Sequence, residues 1–201
     1  MENRKFYANV KNPFLQFLLG CPLVALLVMW LFQGLLYMDP TERYFKIGID
    51  IFCGSLLALF LLFYLPLPIA FGLGAVIAHT LNFLLNAHLW GGLKNYGFVR
   101  TEFNSFQTYL DRLRTKAALE PSIERVFVYG SLVRADWTER SDIDSRLLRK
   151  PGVYNGVRAC WFVMKERTWA NARKFPLDIY VIDHISRLED MRNDERPLSL
   201  K

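Results

Sequence analysis

The stretch IERVFVYGSLVRADWTERSDIDSRLL, residues 123–148, places an apolar strand, a Gly-Ser turn and a close pair of aspartates in one run. Residues 123–129 are rich in β-branched and aromatic side chains, which favours a strand, and Gly130-Ser131 turns the chain at its end. A short helix is expected over 132–138. Residues 141–148 read as a second strand. Its two-residue period puts Asp142, Asp144 and Arg146 on one face and Ile143, Ser145 and Leu147 on the other.

Further along, Pro151-Gly152 signals a turn, and a helix is predicted over 154–174. Its expected buried stripe is Val157, Trp161, Met164 and Thr168, and Trp161 and Trp169 read as packing residues. Phe175-Pro176 stops that helix. LDIYVI, 177–182, follows as a third strand with Asp178 and Tyr180 on one face, and a last short helix is predicted over 185–191. Upstream, Phe103, Phe106, Leu110, Leu113 and Ala117 recur at helical spacing over 102–119, until Pro121. Helices and strands thus alternate over roughly 100 residues, enough for one core. The expected class is α+β, a small mixed sheet covered by helices and preceded by a helical membrane region.

Paired carboxylates two residues apart on a strand project side by side, which suits a shared Mg²⁺, a hard ion that prefers carboxylate oxygen. Asp142 and Asp144 form such a pair. Asp178, alone within an apolar strand, is costly to bury without a partner, and a metal site would account for it. Gly130 lets backbone approach a phosphate, and Ser131 offers a hydroxyl and an N–H at an expected helix N-terminus.

An apolar strand ending in Gly-Ser, followed after a short spacer by Ser-Asp-Ile-Asp, resembles the polymerase-β-type nucleotidyltransferase superfamily, and its minimal members most. The resemblance covers residues 123–183. It implies Mg²⁺-dependent transfer of a nucleoside monophosphate from a nucleoside triphosphate, with two ions. On that likeness Asp142, Asp144 and Asp178 would be the catalytic and metal-binding residues, with Asp178 also activating the acceptor hydroxyl, and Gly130 and Ser131 would bind the triphosphate. Arg146 departs from the pattern, because the family usually continues with apolar residues there. It shares the carboxylate face and is a candidate for binding phosphate or pairing with Asp144. Arg134 and Arg140 in the spacer read as solvated, and His184 as a loop residue.

The first half has another character. Residues 13–90 carry almost no charge outside residues 39–46 and Asp50, whereas charges of both signs are dense from Lys94 onward. Residues 1–94 therefore read as a membrane anchor and 101–201 as the nucleotidyltransferase-like domain, joined by a short linker at 91–97. Residues 14–37 (FLQFLLGCPLVALLVMWLFQGLLY) are long enough to span a bilayer, and residues 45–65 form a second span. Residues 69–90 make a third apolar helix, spanning or interfacial, with Gly72, Ala75, His79, Asn82 and Asn86 as a small and polar stripe. His79 and His88 read as packing or hydrogen-bonding residues rather than metal ligands.

Arg4, Lys5 and Lys11 favour a cytoplasmic N-terminus. Nucleoside triphosphates are cytoplasmic too, so an even number of spans is expected, with the third segment interfacial. That places a multi-pass protein in the cell membrane with its catalytic half in the cytoplasm. The formal net charge of +6 is spread over short clusters, so no nucleic-acid partner is expected. The three cysteines, Cys21, Cys53 and Cys160, have no zinc spacing and read as inert thiols.

The expected partners are therefore a nucleoside triphosphate, the bilayer and a membrane-associated acceptor, with a lipid-linked sugar or cell-surface glycan pathway favoured by the anchor. A non-catalytic tethered nucleotide sensor or assembly protein is the main alternative. Protein nucleotidylation of the toxin–antitoxin kind is a third.

Overall fold

The computed structural model describes residues 12–134, 137–188 and 197–201. The N-terminal basic residues Arg4, Lys5 and Lys11 lie outside this range.

The first apolar run is two helices, not the single span expected over 14–37. α1 covers Pro13–Gly20 and α2 Pro22–Phe32, with extended backbone at Cys21 (φ −83°, ψ 121°) between them. Pro22 explains the break, because its ring disfavours helical backbone at the preceding residue and it has no N–H to continue a ladder. At 8 and 11 residues the pieces are about 12 and 16 Å long, short of a bilayer core of about 30 Å. Gln33, in left-handed backbone at φ 48°, ends α2.

The continuous apolar helices come next. α3 spans Pro40–Leu61 and α4 spans Leu67–Asn86, and these two are long and apolar enough to cross a membrane. α3 starts before the predicted residue 45 because Pro40, directly after Asp39, suits a first helical position. The third predicted segment, expected to be interfacial, is thus the second long helix.

The pair packs antiparallel through rows spaced four apart. Glu42, Lys46, Gly54 and Ala58 are buried on α3, and Ala70, Gly74, Ala78, Asn82 and Asn86 on α4. Gly72 and Ala75, placed on the stripe by counting from Gly72, are exposed. Far from the sheet the contact is between small residues: a Cβ on Gly74 would come within 2.8 Å of the Ala58 nitrogen and the Gly54 oxygen. Near the sheet it becomes polar. Lys46 Nζ donates to the Asn86 carbonyl (2.7 Å), and Asn82 Nδ2 donates to Asp50 Oδ1 (2.8 Å). His79 adds bonds from its ring nitrogens to Asp50 (2.7 Å) and the Trp30 carbonyl (2.9 Å).

The predicted linker is structured as well. α5, Leu89–Leu93, and a 3₁₀ turn, Lys94–Tyr96, cross from the end of α4 to the sheet. α6 (Phe103–Leu119), β1 (Ile123–Tyr129), β2 (Ile143–Arg149), α7 (Val153–Ala172), β3 (Leu177–Ile182) and the two-residue β4 (Leu198–Ser199) complete an α+β fold. The sheet order is β3-β2-β1-β4. β2 runs parallel to β3, while β1 is antiparallel to both β2 and β4. A 3₁₀ turn, Ile185–Leu188, occupies the start of the last predicted helix, whose remainder lies outside the described residues.

α6 and α7 cover one face of the sheet. Phe106, Leu113 and Ala117 pack with Val126, Ile143, Leu147, Ile179 and Val181, and with Ala159, Phe162 and Val163 of α7. The stripe predicted for α7 is mostly its outer face: Val157 and Trp161 are each 51% exposed. α7 buries itself on two sides at once, against the sheet and against α3 and α4. Its inward rows therefore run through Cys160, Val163, Glu166, Arg167 and Ala170.

β3 is an edge strand, and the ends of the apolar helices seal it. Glu42 accepts from the Val181 N–H (2.7 Å), and Asp39 from the Asp183 N–H (2.9 Å). Arg167 donates to the Ile179 carbonyl and to Glu42, and to Asn86 Oδ1 at 2.8 Å. The open edge of a sheet otherwise offers unpaired backbone groups to other chains.

Candidate functional site

The sheet face away from α6 and α7 carries the carboxylates. In the parallel ladder Asp144 of β2 lies directly opposite Asp178 of β3, and Arg146 lies opposite Tyr180. The alternation predicted for both strands holds: Ile143, Ser145, Leu147, Ile179 and Val181 are buried in the core, and Asp144 and Asp178 stand on the other face. Asp142 precedes β2 by one residue, two from Asp144.

Tyr129, the last residue of β1, pairs with Asp144 and brings Gly130 beside it. Gly130 is required twice over. Its φ is +80°, and a Cβ there would lie 2.5 Å from Asp144 Oδ2. Gly130 and Asp144, 14 residues apart in sequence, therefore lie side by side. Ser131 belongs to a 3₁₀ turn, Gly130–Leu132, and not to the helix expected to begin here, so the helix-end argument for binding phosphate does not apply. Its hydroxyl is buried with no hydrogen-bond partner among the described residues, an unsatisfied state that a ligand oxygen would relieve.

Cations from unexpected places meet the acids. Lys94, in the turn after α5, is ion-paired with Asp142. Arg146 reaches Asp178 at 3.7 Å, not Asp144, while donating to the Ser145 carbonyl (2.8 Å) and lying 4.5 Å above the Tyr180 ring. His88 Nε2 is 3.7 Å from Asp178 and 2.9 Å from the Ile179 carbonyl. A carbonyl only accepts, so Nε2 carries the hydrogen. Burial, followed by the nearby Arg167 charge, holds this imidazole well below its usual pKa, with Asp178 opposing the shift.

The three carboxyls differ in their hold on protons. Burial raises Asp142, with Lys94 opposing. Burial raises Asp144 furthest, and the negative charges of Asp142 and Asp178 add to it. Burial also works against charge on Asp178, but His88, Arg146, Arg167 and a hydrogen bond with Asp144 outweigh it and hold Asp178 below its usual range. Two adjacent acids of unequal proton affinity are the arrangement that lets one stay charged beside a protonated neighbour.

The donor set suits Mg²⁺. Its oxygens are hard, and the crowding of Asp144 is a repulsion that a divalent cation relieves. As the side chains stand, no three His, Cys, Asp or Glu among the described residues converge on one metal position, and Lys94 holds Asp142.

A cavity of about 460 Å³ opens from this cluster. Asp142, Asp178, Tyr180, His88 and Lys94 line one end. Ala25, Val28, Met29 and Phe32 of α2 line the other.

Of the remaining residues weighed from sequence, His184 is exposed, and Trp169 stacks on Tyr109 in the core (ring centroids 5.3 Å). Cys160 is buried, and burial pushes its thiol up and out of the reactive range. Lys94 and His88 were not read as site residues. The only signal for Lys94 was that it is the first charge after a long apolar segment. No family model, curated protein or solved structure matches the chain.

Proposed function

We propose that the chain is a membrane-anchored nucleotidyltransferase that moves a nucleoside monophosphate from a nucleoside triphosphate to a membrane-associated acceptor. The observation that carries this reading is the junction of Gly130 with Asp144, flanked by Asp142 and Asp178. It gathers a close-approach turn and three acids at one end of the sheet.

In this scheme the acceptor hydroxyl oxygen attacks the α-phosphorus. The bond from that phosphorus to the pyrophosphate oxygen breaks, and pyrophosphate leaves with the electron pair. Asp178, kept charged by its cationic surroundings, takes the hydroxyl proton. Ser131 and the backbone at Gly130 bind the triphosphate, and Arg146 and Lys94 balance its charge. Asp142, Asp144 and Asp178 would hold one or two Mg²⁺, which supply charge neutralisation on the triphosphate and leaving group.

Membrane attachment rests on α3 and α4. Only 17% and 28% of their most apolar windows are buried, unlike the core helices of a soluble domain. Phe52, Leu56, Phe60 and Phe63 are exposed on the outside. Both sheet-proximal ends of this hairpin lie on one side, so a two-span anchor returns the chain to the cytoplasmic face where its start is expected.

A non-catalytic, tethered nucleotide-binding role is favoured by one observation, the ion pair that Lys94 already makes with Asp142. Incubating the full chain in membranes with α-labelled nucleoside triphosphates and Mg²⁺ separates the two. Label transfer abolished by Asp142→Asn supports the enzyme. Nucleotide binding with neither transfer nor turnover overturns it.

A further inference from the structure

The cavity beside the acids joins two chemistries. Its wall on α2 is formed by Ala25, Val28, Met29 and Phe32 without a polar side chain, while its floor ends at Asp142, Asp178, His88 and Lys94. The apolar wall continues outward: Leu27 and Leu31, on the same helix, are 59% and 56% exposed, and Leu36 and Tyr37 beyond it are more so. The cavity is thus continuous with surface that α3 and α4 would hold at the bilayer. Its polar end presents the carboxyl groups of Asp142 and Asp178, the first already paired with Lys94, and His88, whose Nε2 is already committed to the Ile179 carbonyl. That end suits a hydroxyl, which donates to a carboxylate, better than a second anion.

We infer that this cavity is the acceptor subsite and that its ligand is a hydroxyl-headed amphiphile, with the chain along α2 and the hydroxyl at Asp178. The inference rests on the nucleotidyl-transfer reading and adds the substrate class. It also gives α2 a role that its length rules out as a span: one wall of a binding site. The ligand enters sideways from the bilayer, and water-soluble alcohols bind weakly because they leave the apolar wall unfilled.

The test uses the full chain in phosphatidylcholine vesicles with a long-chain alcohol carrying a mid-chain diazirine. Photolysis should label residues 25–37. Unlabelled long-chain alcohol and long-chain alkyl glucoside are competed separately, and the stronger competitor tells a plain lipid alcohol from a glycolipid. Val28→Trp, which fills the cavity from a partly exposed position, should reduce labelling about tenfold. Leu23→Trp, at the exposed start of the same helix and outside the lining, should leave it unchanged. Equal labelling in both variants, or labels spread evenly over α3 and α4, overturns the inference. Transfer to a soluble alcohol is measured in parallel. If it survives while α2 is not labelled, nucleotidyl transfer stands and the amphiphile subsite falls. If α2 is labelled specifically but no nucleotide turns over, the subsite stands and the transfer reading falls.

Discussion

Two charged clusters lie on either side of β3, and they are satisfied to different degrees. At the edge of β3, Glu42 and Arg167 are almost fully buried, and Glu42 accepts from both a guanidinium and the Val181 N–H. Lys46 beside them donates to the carbonyls of Gln33 (2.8 Å) and Asn86 (2.7 Å). On the face of the sheet, Asp142, Asp144 and Asp178 crowd one another, the contacts of Asp178 with His88 and Arg146 are 3.7 Å long, and the Ser131 hydroxyl has no partner among the described residues. The edge cluster is the more deeply buried, and of its guanidinium only Arg167 Nε is left without a partner among the described residues. Charges largely met by hydrogen bonds hold elements together, whereas charges left crowded and half-paired store a demand for something from outside.

The contrast can be broken most forcefully at its saturated side. Glu42→Ala strands Arg167 and the Val181 N–H, and should cost about 3–5 kcal/mol in denaturant unfolding of the detergent-solubilised chain. A loss below 1 kcal/mol would mean that the cluster is no fastener. On the unsaturated side, Asp144→Asn should reduce nucleotidyl transfer at least ~100-fold, about 2.7 kcal/mol of barrier. The thermal midpoint should hold or rise, because an amide there never takes on the buried charge that the crowded carboxyl resists. A fall in both would make Asp144 a structural residue.

Gly130→Ala comes next, at about 1–2 kcal/mol for a left-handed non-glycine residue, with further loss from its collision with Asp144. Transfer should fall more steeply than stability, and a matched fall would unlink the turn from the acids.

The smallest effect concerns Asp183. It accepts from Arg149 Nε (2.6 Å) and the Thr41 N–H (3.2 Å). Burial opposes its charge, but those hydrogen bonds prevail and depress its carboxyl. Its stabilisation is therefore complete above the ordinary carboxylate range and is lost as pH falls through the lowered value. Asp183→Asn should cost about 1 kcal/mol at neutral pH. The gap from the parent should close below about pH 4, and a gap independent of pH would contradict the assignment.

Much of the sheet was legible because a strand's period is short and its faces differ in chemistry. Asp144 and Asp178 declared their face by interrupting apolar runs. The residues that were not legible depend on distant chain. Lys94 and His88 reach the acids only because α5 folds across the end of β3, and a Gly-Gly stretch in sequence looks slack. α7 misled because a helix buried on two sides has no single stripe. Its most hydrophobic spacing, through Val157 and Trp161, marked the side left uncovered. In the first run hydropathy outweighed Pro22, although the proline carried the local information that split it. Gly74 was hidden as well, since close backbone packing against Ala58 is a property of the pair and not of either helix.

The seal on β3 has a consequence for how the protein is made. The strand's outer edge is completed by Asp39 and Glu42, which leave the ribosome more than a hundred residues before Val181 and Asp183. The apolar hairpin must therefore be in place, with its polar end accessible, before the last strand can settle. The hairpin folds first and assembly of the acidic cluster follows, with the hairpin as the template on which the sheet closes. A fragment cut at residue 101 would carry every aspartate of the site and still emerge with a bare strand edge, primed to pair with its neighbours.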